Sequence, residues 1–493
     1  MLFRSRDSNV QYGSFNYPLA LVEHSLTPET AGLIEQLSSR RTIDSDAIDA
    51  AYAAVSPIHE TRHFYDQFGT FAGLSLFSAR MQALRSFADA SRRLAHEGRT
   101  WRLPLSRWLE DSDCPEAVRT FAKTAYADRV GSRVLIGAFK PFSVDRRIDD
   151  LIAQVDTDVG RKMDAATVRT VVQGIIPPRH HTTLYPFGVE VLFEGSAHAI
   201  MRSCFGGASS ALTEALEQRL RVTMTSEEAL AEAVSPYMIL DLLISRFMKD
   251  AGHPRFERDL VLGVADELLS CSAMKIQHLS AGLTSAEITA MGEKLTTVLK
   301  SGKIAELKRG RVPASNAAKA GYASMLNVIE KGGDWDAVDD DGSLYADILI
   351  WESYAMQHFA GPLLRLRHET KQAAFRTCVG FLGAMNRVRP AAQVASGRIS
   401  FHSEVPGRVR EAWRRVAFAD SFVRALAGDG AILCPHAYGA LPKLKNVGFS
   451  AEGSCATHML LGCGAFNGGQ QTHSPRCFFQ RELHLSAFAV PPV

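Results

Sequence analysis

Apolar residues recur at helical spacing along most of this 493-residue chain, and that period restricts the fold more than any other feature. The run 75–95 is representative. Leu76, Met81, Leu84, Phe87 and Leu94 share one face, and Arg80, Arg85, Asp89 and Arg92 are expected opposite them in solvent. The same reading predicts helices over 27–37, 44–55, 115–128, 144–155, 164–175, 188–204, 211–222, 226–250 and 256–269. Further helices follow over 285–299, 314–331, 346–359, 363–386 and 407–427. Strand signals are few, at 133–139, 398–402 and 430–433. A mainly α protein with at most a small sheet is expected.

The chain is too long for one ordinary core. Composition changes at Gly206-Gly207-Ala-Ser-Ser and between Arg389-Pro390 and Gly397. They divide it into 1–207, 208–390 and an irregular 391–493 rich in Cys, His and Gly. Asp334-Trp-Asp-Ala-Val-Asp-Asp-Asp-Gly342 is not an EF-hand loop, because alignment on Gly342 puts Ala337 and Ile348 at the first and twelfth ligand positions. It reads as an acidic turn between helices.

Charge and composition exclude several classes. Net charge is +2, and the longest basic stretches, Lys300-Ser-Gly-Lys303 with Lys308-Arg-Gly-Arg311, and Arg414-Arg415, are short, so no nucleic-acid partner is expected. The best apolar run, Tyr237-Met-Ile-Leu-Asp-Leu-Leu-Ile244, is broken by Asp241 and falls short of the ~18 residues a bilayer requires. No apolar stretch follows Met1-Leu-Phe-Arg-Ser-Arg, and the eight irregularly spaced cysteines fit reduced thiols. A cytoplasmic location is expected, with no membrane partner; oligomeric state is not readable. Walker, dinucleotide-binding and Gly-x-Ser-x-Gly motifs are lacking.

The segment that carries chemistry is Ser56-Pro-Ile-His-Glu-Thr-Arg-His-Phe-Tyr-Asp-Gln-Phe-Gly69. Ser56 as N-cap and Pro57 in the first turn predict a helix beginning here, with Gly69 as its stop. His59 and His63, four apart, then project from one face and can chelate a divalent ion, while Glu60 lies beside them within reach of an activated water. Arg62 and Asp66 are expected to pair on the helix surface, although Asp66 could instead orient a histidine.

This H-E-x-x-H arrangement resembles the zincin metallopeptidases over about a dozen residues. The resemblance implies one zinc per chain on His59 and His63, Glu60 as general base, and a peptide or protein substrate. Asp66 and Gly69 stand where metzincins carry glycine and histidine, which excludes that branch. In gluzincins the third ligand is a glutamate on a later helix, and Val189-Glu-Val-Leu-Phe-Glu-Gly-Ser-Ala-His-Ala-Ile200 is similar through Glu194, Gly195 and Ala197. Small residues after Glu194 are expected to let its helix approach the histidine helix. His198, Asp89 and Glu97 are the other ligand candidates, and His180 and Tyr185 could donate to an oxyanion.

Two rival readings remain open. Glu60-x-x-His63 is also the spacing of carboxylate-bridged di-iron or di-manganese bundles, although Glu194-Gly-Ser-Ala-His198 is one residue too long for the second copy. A binding or toxin-like protein with a structural metal is the other. The tail, with Cys434-Pro-His436, Cys455-x-x-His458, Cys463 and Cys477, holds either a second structural zinc or buried reduced thiols.

Overall fold

The computed structural model describes residues 2–4, 11–24, 45–99, 101, 105–133, 189–205, 240, 258–269, 316–370, 373–395 and 398–426. Most of these are helical, in agreement with the sequence period. Strands β1 (Leu2–Arg4), β2 (Gln11–Asn16) and β3 (Leu21–His24) open the chain. Helices α1 (Ser45–Gly69), α2 (Phe71–His96), α3 (Leu105–Glu110), α4 (Glu116–Arg133), α5 (Val189–Phe205) and α6 (Arg258–Leu269) follow. Then come α7 (Asn316–Lys331), α8 (Leu344–Ala355), a π-helical turn (Met356–Ala360), α9 (Gly361–Glu369), α10 (Ala373–Arg376) and α11 (Cys378–Ala384). Strands β4 (Ala392–Ala395) and β5 (Arg398–Phe401) precede the last described helix, α12 (Gly407–Leu426).

The chain forms two compact units, one of residues 1–78, 129–331 and 356–396, the other of 79–128, 332–355 and 397–493. In the first unit, β1 to β4 lie side by side in that order. The first two pairings are antiparallel, and β3 runs parallel to β4 with Leu21 opposite Ala392. The periodicity had signalled none of β1 to β4. They are three to six residues long, and β2 carries Gly13, Ser14 and Asn16, so no apolar alternation marks it.

A helix start at Ser56 is overturned: α1 runs unbroken from Ser45 through Pro57. Proline lacks the N–H that would bond the carbonyl four residues back, which is that of Ala53. The Ser56 hydroxyl donates to that carbonyl at 2.8 Å, so the acceptor is not left bare in the core. Gly69 does end the helix. Thr70 then caps α2 by accepting from the Gly73 N–H at 3.1 Å while donating to the Asp66 carbonyl at 2.6 Å.

The helix expected over 363–386 is divided. Thr370 closes α9 with its hydroxyl on the Leu366 carbonyl at 2.7 Å, and extended Thr377 caps α11 by accepting from Gly380 N–H at 3.1 Å. This break turns Phe375 and Arg376 into the core, where both are buried. The π turn likewise sets Phe359 against Phe64 and Phe68, at ring separations of 5.4 and 5.5 Å.

In the second unit, part of the charged face of α2 is not solvated. Arg80 is buried and donates to Asp420 of α12 at 2.7 Å, and Arg85 pairs with Glu352 of α8. Asp89 does stay at the surface, paired with Arg92 and Arg93. The 334–342 segment is an acidic turn: Asp334 caps one turn of 3-10 helix, and Gly342 takes a left-handed φ of 72°. Among the described cysteines, Cys114 and Cys378 form no disulfide. No described helix is long and apolar enough to cross a membrane.

Candidate metal centre

Helix α1 lies under β2 and β3 and packs on α5. One turn apart on it, the His59 and His63 rings meet edge to face with centroids 4.7 Å apart. Phe15 of β2 stacks on His63, and Phe193 of α5 tilts against it. Glu194 projects from α5 into the same point. Its Oε2 lies 3.2 Å from His59 Nε2 and 3.3 Å from His63 Nε2, and the two Nε2 atoms are 3.0 Å apart. Exposures of His59, Glu60, His63 and Glu194 are 1, 1, 0 and 2%.

This triangle can be tested as a ligand set. Each vertex atom either donates or accepts a proton, so with three vertices two of the same kind must face each other. Protons alone therefore leave one unfavourable contact in a site shielded from water. A cation removes the conflict, since all three then act as acceptors. The size also fits: an ion ~2.0–2.1 Å from each atom would separate neighbouring ligand atoms by about 3.3 Å in tetrahedral geometry. Two imidazoles and one carboxylate are a donor set suited to zinc.

The electrostatics agree with such a set. Burial pushes the Glu194 carboxyl up, but His63 and His59 outweigh it and hold the group well below the usual carboxylate range. Burial lowers the pKa of His59 against the opposing pull of Glu194. The Glu60 carboxyl is raised well above its ordinary value, first by burial and then by Glu194. A positive ion beside Glu194 opposes the second cause.

Of the residues singled out in the sequence, His59, His63 and Glu194 come together, and among the described residues this is the group of side chains able to hold a metal ion. His198 is buried one turn further along α5 and does not belong to it. His180, Tyr185 and the cysteine-rich tail lie outside the described residues. Arg62 and Asp66 pair as expected, yet at the centre of the core rather than on the surface. Asp66 takes Arg62 and Ser196 as partners, not a ligand histidine. Gly195 makes room for Leu240, whose Cβ would lie 2.8 Å from an added Cβ, while the contact of α5 with Asp66 is made by Ser196.

Three residues carried no signal in the sequence: Gly13 and Phe15 belong to a strand without a motif, and Ser196 is the variable position of the Glu194-Gly-x-Ala pattern. A Cβ on Gly13 would stand 2.8 Å from Glu60 Oε1, 2.9 Å from its Cγ and 3.1 Å from the Glu23 carbonyl. Gly13→Ala should therefore overpack this wall and destabilise the protein by about 1–3 kcal/mol. A urea midpoint equal to that of the unsubstituted protein would contradict the assignment. No protein-family model, curated protein or solved structure matches this chain.

Proposed function

We propose that this protein is a zinc-dependent hydrolase acting on peptide or protein substrates, with one zinc ion held by His59, His63 and Glu194. The observation that carries the reading is the convergence of His59 Nε2, His63 Nε2 and Glu194 Oε2 within 3.3 Å of one another, with the Glu60 carboxyl on the same turn as His59. When bound, zinc supplies a Lewis acid that polarises a carbonyl and acidifies water. Glu60 accepts the proton of the attacking water as its oxygen bonds to the carbonyl carbon, then delivers that proton to the amine released when the C–N bond breaks. Glu60 Oε2, buried and without a hydrogen-bond partner among the described residues, suits a group that exchanges a proton with a bound reactant.

Glu60→Gln tests the role. It should lower turnover of a fluorogenic peptide library by about 10²–10⁴-fold while zinc content stays that of the unsubstituted protein. Undiminished turnover would reject Glu60 as the base. The burial of all four side chains favours one second reading, a metal that braces the fold and does no chemistry. In that case no peptide is cleaved by either protein, and chelation lowers the thermal midpoint. Metal analysis also separates zinc from the two irons or manganese ions of a di-metal oxidoreductase.

A further inference from the structure

One buried contact joins the two ligand helices and takes no part in the proposed chemistry. Ser196, two residues after Glu194 on α5, places its hydroxyl on Asp66 Oδ2 of α1. The Phe193 carbonyl lies 3.0 Å from the same hydroxyl, but with one proton to give the carboxylate is the stronger acceptor. Asp66 is held in place by Arg62, whose Nε donates to Oδ2 at 2.9 Å while Nη2 makes an ion-pair contact with Oδ1 at 2.9 Å. Arg62 is fixed in turn by Nη1 on the Phe375 carbonyl at 2.7 Å. Arg62, Asp66 and Ser196 are all completely buried.

The geometry makes this more than a tether. Positions two apart on a helix differ by about 200° around its axis, so Glu194 and Ser196 leave α5 on opposite flanks. His63 and Asp66, three apart, lie on one face of α1. Two such contacts fix the rotation of α5 about its own axis, and that rotation decides where Glu194 Oε2 stands relative to the two imidazoles.

We propose that Arg62, Asp66 and Ser196 are positioning residues that set the rotation of α5, and that Ser196 thereby governs metal affinity without touching the metal. This rests on the metal-centre reading above. The test is zinc titration of the full chain against a chromophoric chelator, with thermal midpoints of the metal-free proteins measured in parallel. Ser196→Ala should bind zinc about tenfold more weakly, the low end for residues behind the ligands, and its metal-free midpoint should fall only as far as the loss of one buried charge-assisted hydrogen bond requires. Ser196→Thr, which restores a hydroxyl, should recover most of the loss. Ser75→Ala, which removes another fully buried hydroxyl of the same unit, should bind zinc as the unsubstituted protein does. If the unsubstituted protein binds zinc and Ser196→Ala binds it equally well, the positioning role is wrong and the metal centre stands. An equal loss of affinity in Tyr65→Phe, which removes another buried hydrogen bond of the same unit, would also overturn the role. No zinc binding by the unsubstituted protein would remove both.

Discussion

His63→Ala is expected to empty the metal centre: protein purified without added zinc should carry about one ion per chain, and the variant none above background. In the proposed centre three protein ligands would hold the ion, and His63 would supply one of them from a fully buried ring. The remaining pair, His59 and Glu194, closes only one edge of the triangle. The loss should exceed the ~10–100-fold that changes behind the ligands produce, and competition against a chelator with elemental analysis would measure it. Truncation also removes packing against Phe15 and Phe193, so His63→Gln, which keeps more of the volume, serves as the companion variant. Zinc retained at full occupancy by both variants would mean that the ion sits elsewhere.

The largest effect on stability is expected away from the metal. Asp266 of α6 is fully buried and carries two guanidinium groups, Arg376 Nε at 2.6 Å and Arg367 Nη1. Asp266→Ala leaves both cations in the core without their shared anion. Breaking a buried pair in this way costs roughly 3–5 kcal/mol, a large part of the ~5–15 kcal/mol that holds a typical domain folded. The variant should unfold at a much lower denaturant concentration, and a midpoint within error of the unsubstituted protein would refute the assignment. The pH dependence has a fixed sign. Burial pushes the Asp266 carboxyl up, but Arg367 and Arg376 overcome it and bring the folded value below the ordinary 3.8. Its stabilisation is therefore present above pH 3.8 and is lost as pH falls from there through the depressed folded value. Asp266→Asn should show a shallower loss over that acid range.

The helices were legible because their apolar period is strong; α2, α5, α6, α7 and α12 begin and end within a few residues of expectation. Where local signals competed with packing, packing prevailed. Pro57 looked like a helix start, yet the Ser56 hydroxyl repairs the missing bond and α1 continues. Thr370 and Thr377 divide a run that periodicity alone would have continued, and the break delivers Arg376 to Asp266. The sheet was hidden because β3 finds β4 far along the chain, a pairing that no local pattern records. Two members of the candidate centre, His59 and His63, could be read from their spacing on one helix, whereas Glu194 was reached only by resemblance to a family's ligand helix. Ser196 could not be recognised at all, because a serine in a helix carries no mark of the partner it meets.

His59 and Glu194 meet across 135 positions of sequence. Closing so long a loop is an entropic cost that grows slowly with length but cannot be recovered until both helices are in place. A peptide corresponding to α1 would hold two imidazoles and no carboxylate opposite them, so it could not reproduce the centre. An ion bound there would act as a cross-link between distant parts of the first unit. It would form late in folding and slow the native chain's unfolding more than it speeds the approach to it.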